Sequence, residues 1–173
     1  MAAGKPTVYL DTPVVSMLFL RAFDMTNASR QILTREWWEE ESRFFRVFAS
    51  DVVEDEISGG RFQGQELALA FVQRLPYLAQ TQEVASCARV VVARGLIPDT
   101  KMGDAVHLAI AIAHRMDYLM TWNYAHLANP ATQRRVENVC AEEGWRVPLL
   151  VSPENIPSAR RGDIIRRRDR HEG

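Results

Sequence analysis

Three acids stand where this sequence passes from one kind of element to the next. Asp11 follows the apolar run Thr7–Leu10 and precedes Pro13. Glu56 lies in the helix-like stretch behind the apolar run 44–49, and Asp104 opens residues 101–114, the most apolar helix-length stretch in the chain. A lone carboxylate beside Ala105, Leu108 and Ile112 is driven either to protonate or to find a cation. Acids that converge on one pocket repel one another, and a hard divalent ion with a preference for oxygen ligands is the usual remedy. Thr12 directly follows Asp11, and Thr121 and Asn123 end the apolar run 118–122, so hydroxyl and amide groups accompany the acids.

Each acid also has a plainer reading. Asp104 suits the first turn of a helix, where the macrodipole favours a negative charge by about 0.3–1 kcal/mol. Asp11 suits a cap on the helix that Pro13 begins, a role compatible with ligation. Glu56 can be a solvated charge beside Glu54 and Asp55, and Thr12 can be a helix cap.

Other chemistries find less support. His107 lies three residues after Asp104 and His114 seven further on, one stripe of about two and a half turns, which is too long for a single ion to be gripped at both ends. H-E-x-x-H is absent, so His107, His114 and His126 read as packed, hydrogen-bonded groups. There is no G-x-S-x-G, and Cys87 and Cys140 have neither C-x-x-C spacing nor basic neighbours, so both read as small buried hydrophobes. Gly59 to Gly64 lacks the phosphate-loop pattern.

The elements that must position these groups alternate. Apolar runs at 7–10, 44–49, 118–122 and 147–151 read as strands. Helical patterns are expected from Pro13 through Phe19 and over 29–42, from Ser50 or Asp51 to Gly59-Gly60, and then over 65–75, 81–94, 101–114 and 130–143. Residues 77–79 read as a brief extended piece. Without Asn-Gly or Asp-Gly hairpin signals, this order predicts an α/β fold, a mainly parallel sheet of about four to five strands covered by helices on both faces. In such sheets ligands bind beyond the carboxyl ends of the strands where the strand order reverses. Asp11, Thr121 and Asn123 meet there, with Asp104 and Glu56 in reach. Asp117 precedes its strand and belongs at the opposite edge.

With 173 residues, 47% hydrophobic and 25% charged, the chain suits one globular domain, expected over 1–157. The net charge of -1 hides a basic tail over 158–173, where Arg160, Arg161, Arg166, Arg167, Arg168 and Arg170 outnumber Asp163, Asp169 and Glu172. Such a tail can touch phosphates or an acidic partner, and is read here as a solvated terminus. Trp37 and Trp38 read as core or interface anchors rather than base-stacking platforms. No signal peptide or membrane span is evident, and a cytoplasmic protein is expected.

In order and spacing these blocks resemble the PIN-domain ribonucleases, and among them the VapC-type toxins of toxin–antitoxin pairs, over residues 8–153. Val-Tyr-Leu-Asp11-Thr12 is similar to the opening strand and first acid, and Ser50-Asp-Val-Val-Glu-Asp-Glu56-Ile57 to the second block. Lys101-Met-Gly-Asp104-Ala-Val-His107-Leu-Ala109 is similar to the third, the most specific, and Tyr118-Leu-Met-Thr121-Trp-Asn123 to the fourth. The resemblance implies Mg²⁺ or Mn²⁺ held by Asp11, Glu56 and Asp104, with Thr12, Thr121 and Asn123 positioning water or phosphate. It implies hydrolytic cleavage of RNA, an antitoxin partner and a possible homodimer. Asn123 departs from the family, an amide where many relatives carry aspartate, which removes a charge and weakens a second metal position. A catalytically silent module that binds RNA or a protein is the alternative.

Overall fold

The computed structural model describes residues 4–22 and 24–158; the expected basic tail lies outside them beyond Ser158. Four strands, β1 (Thr7–Leu10), β2 (Arg46–Phe48), β3 (Tyr118–Met120) and β4 (Leu149–Val151), form one sheet in the order β2-β1-β3-β4. Every pairing is parallel, with Tyr9 opposite Phe48 on one side and Leu119 on the other. The fold is α/β with flanking helices, as the alternation predicts. The inner strands β1 and β3 are almost wholly buried, the near-continuous apolar signature of a parallel strand covered on both faces. The chain moves from β1 outward to β2 on one side and to β3 and β4 on the other, so the order reverses between β1 and β3.

Among the described residues seven α-helices accompany the sheet: α1 (Thr12–Phe19), α2 (Met25–Glu36), α3 (Asp51–Gly59), α4 (Gln65–Val72), α5 (Gln82–Ala93), α6 (Met102–Ala113) and α7 (Pro130–Glu143). Their starts follow capping chemistry. Side-chain oxygens of Ser50, Thr81 and Asn129 accept from backbone N–H groups three residues on, and Pro130 occupies the first turn of α7. Gly64 precedes α4 with φ of 100°, and a Cβ there would lie 2.3 Å from the Phe19 carbonyl oxygen. Only glycine fits where α4 meets the end of α1.

Two expectations need correction. The helix expected over 29–42 begins earlier, because Asp24 accepts from the Asn27 N–H at 2.9 Å, and it changes at Trp37–Glu41 into a π-helical turn. In a regular helix successive side chains diverge by roughly 100°. Here both tryptophans reach apolar partners, Trp37 on Phe45 and Trp38 edge-on to Phe71 at 4.7 Å between centroids. The strand expected over 44–49 shortens to Arg46–Phe48 because a 3₁₀ turn takes Ser42–Phe44. The extended piece at 77–79 makes a parallel bridge between Tyr77 and Ala49.

Candidate metal centre

The carboxyl ends of β1 and β3 carry the site. Asp11 leaves β1 and caps α1, accepting from the Thr12 N–H at 2.7 Å, and it is only 2% exposed. Its other oxygen accepts from the Thr121 hydroxyl, and Thr121 in turn accepts from the Asn123 N–H at 2.9 Å. Glu56 points in from α3, with a side chain 40% exposed, and accepts from the Thr12 hydroxyl. Glu54 on the same helix turns elsewhere, to Gln73 and Tyr77. Gly103 opens room for Glu56, since a Cβ at that position would stand 3.1 Å from Oε1.

His107, expected as a packed structural group, is buried but also part of this cluster. Its Nε2 lies 3.3 Å from Asp11 Oδ1 and 3.2 Å from Glu56 Oε2. Its Nδ1 lies 2.7 Å from the Tyr9 hydroxyl, which is 2.8 Å from Ser50 Oγ. One ligand atom from each of Asp11, Glu56 and His107 falls within 4.8 Å of the others, a grouping able to hold a metal ion. Asp104 lies outside that trio. Its Oδ2 accepts from the Asn123 amide at 2.9 Å, while Asn123 Oδ1 accepts from the His126 N–H at 3.1 Å. The acid that opens α6 therefore has an amide as its immediate partner, one turn of helix from His107.

Electrostatics knit the cluster together. Burial, the largest influence on His107, opposes its charged form, but Asp11, Glu56 and Asp104 together outweigh it and raise the imidazole above its ordinary value. Burial pushes Asp11 up against the opposing pull of His107 and Thr121. The hydrogen bond from His107 holds Glu56 below the ordinary glutamate value, aided by Thr12 and opposed by burial. The two carboxylates beside His107 thus favour its charged form, in which the imidazole brings positive charge between them. Tyr9, Ser50 and His107 are the contributors that sequence reasoning missed. The only signal for His107 was its place one turn after Asp104, and Tyr9 is concealed as one apolar-looking residue of a buried strand.

The remaining candidates fall away from the centre. His114 Nε2 bonds the Ala79 carbonyl oxygen at 2.8 Å. Asp117 accepts from both the N–H and the hydroxyl of Thr7 at 2.8 Å, at the opposite edge of the sheet as expected. Cys87 and Cys140 are free and buried. No helix among the described residues is long and apolar enough to cross a membrane.

No protein-family model and no curated protein matches the chain. Among solved structures it is similar to one described as VapBC2 from Rickettsia felis bound to a DNA fragment from their promoter. The TM-score is 0.48 at 14% identity, over 84% of this chain and 98% of that one. What this chain can do is decided by its own side chains.

Proposed function

We propose that the protein is a metal-dependent endoribonuclease that hydrolyses RNA phosphodiester bonds, acting as the toxin of a toxin–antitoxin pair. The observation that carries this reading is the convergence of Asp11, Glu56 and His107 at the strand-order reversal, with Asp104 and Asn123 alongside. The sequence blocks similar to PIN-domain ribonucleases supply the reaction. Asp11, Glu56 and Asp104 would hold Mg²⁺ or Mn²⁺ together with His107, and an imidazole nitrogen in the set favours Mn²⁺ over Mg²⁺. Such an ion, when bound, polarises a phosphate and lowers the pKa of a bound water.

The chain's own groups prepare that site. His107 Nδ1 lies against the Tyr9 hydroxyl, so ligation through Nε2 would leave Nδ1 to donate to that hydroxyl and would displace any proton held on Nε2. Thr121 and Thr12 fix the rotamers of Asp11 and Glu56, and Asn123 does the same for Asp104. These three are positioning residues, and they also supply the polar edge at which water or a phosphate oxygen is received.

The test is cleavage of total RNA in Mn²⁺, with EDTA as control, comparing the parent with Asp104→Asn and Asp11→Asn. Cleavage that needs the ion and falls on the order of a hundredfold or more in both folded variants is expected. Equal cutting by parent and variants would overturn the assignment. One observation favours the second reading, a silent module that binds RNA or a protein: His107 and Asn123 already satisfy the carboxylates without an ion. That reading predicts RNA binding that survives EDTA and no turnover. The antitoxin partner and a homodimer follow from the family resemblance, and light scattering over a range of concentrations, alone and with a cognate antitoxin, reads both.

A further inference from the structure

At Ser158 the described chain arrives beside a groove of about 260 Å³ on the flank formed by the end of α2 and the π-helical turn. Leu33, Trp37 and Ile156 give it an apolar floor, while Glu36, Glu40 and Glu154 rim it with negative charge. Ser158 forms part of the wall, its hydroxyl donating to Glu41 at 3.1 Å. Trp37 is only 4% exposed, yet its indole N–H finds no acceptor among the described residues. Buried donors are nearly always paired, so this orphan leaves a polar group of a groove-lining residue unmet by the described residues.

The segment that continues from this wall has the matching character. In residues 159–173 the apolar pair Ile164-Ile165 lies between Arg160-Arg161 and Arg166-Arg167-Arg168. An apolar pair flanked by cations is the complement of an apolar floor rimmed by carboxylates, and arginine suits carboxylate partners through its forked donors. Ile165 can lie at most roughly 25 Å from Ser158 at full extension, so the tether keeps it at high effective concentration over the groove.

We propose that residues 159–173 of the same chain seat in this groove. Ile164 and Ile165 cover its floor, the neighbouring arginines pair with Glu36, Glu40 and Glu154, and a carbonyl of the segment accepts from the Trp37 indole. In this arrangement the chain neutralises its most concentrated run of positive charge on its own acidic flank.

The full chain carrying Ile165→Cys with a nitroxide label tests this by NMR. Cys87 and Cys140 are buried, and burial pushes their thiols up to about 12 and about 11, so the label goes to position 165. The seated segment predicts loss of the Trp37 indole peak, retention of the Trp145 peak from its separate cavity, and recovery of the Trp37 peak when Glu36→Gln and Glu40→Gln are added. An undiminished Trp37 peak would overturn the proposal. So would loss that appears only when isotope-labelled and spin-labelled chains are mixed, because the occupant would then be a second copy. Loss that persists unchanged in the glutamine variant would overturn the charge pairing.

Discussion

His107 decides how the free site behaves as pH changes. Its pKa is raised on folding, so the attraction between its imidazolium and the two carboxylates stabilises the fold fully below the ordinary histidine value and is lost as pH rises through the folded value. In EDTA, the stability gap between the parent and His107→Gln should therefore be widest near pH 6 and narrow toward pH 9, as read by urea denaturation. A gap independent of pH would mean that the imidazole is neutral throughout. Asp11 depends most on a cationic partner, because a buried carboxylate that loses its cation costs about 3–5 kcal/mol. Asparagine there keeps the shape and the Thr12 N–H cap while removing the charge, which makes it the informative substitution. At this scale the sequence was legible in part. Asp11 and Glu56 could be read from their positions after strands, and Glu56 rather than Glu54 faces the centre. His107 could not, because a histidine inside an apolar helix has the same pattern wherever its ring points, and only the neighbouring strand and α3 place it beside Asp11 and Glu56.

Elements bring the groups together through close approach. The first turn of α6 passes α3 at Gly103, where the missing side chain leaves Glu56 its place. Gly103→Ala should add helix propensity worth roughly 0.5–1 kcal/mol while displacing the Glu56 carboxylate, so the melting temperature should hold or rise as Mn²⁺ affinity falls. Unchanged affinity would show that Glu56 has no part in holding the ion. Most elements were legible because their signals are local: Ser50, Thr81 and Asn129 cap helices, Gly144 ends α7, and β1 and β3 are continuous apolar runs. The failures lie around Trp37 and Phe45. There the π-helical turn and the shortened β2 accompany aromatic contacts with residues far along the chain, Trp38 with Phe71 and Phe45 with Tyr118, which no local pattern carries.

The whole molecule is a short parallel sheet whose strand order reverses between β1 and β3, and that topology is the reason residues 11, 56, 104, 107 and 123 become neighbours. The sequence implied the reversal only through the position of its polar groups at strand ends; the order β2-β1-β3-β4 is a property of the assembled sheet. The same assembly leaves an acidic flank beside Ser158, the residue that the arginine-rich stretch 159–173 follows in sequence, an asymmetry that the near-zero net charge conceals. Whether the centre is a metal site is settled most directly by calorimetric titration of the EDTA-stripped, dialysed protein with Mn²⁺ against Asp11→Asn. A saturable heat in the parent, accompanied by proton release from His107 and lost in the folded variant, is the predicted result. Identical heats in both proteins, or no saturable heat in the parent, would contradict it.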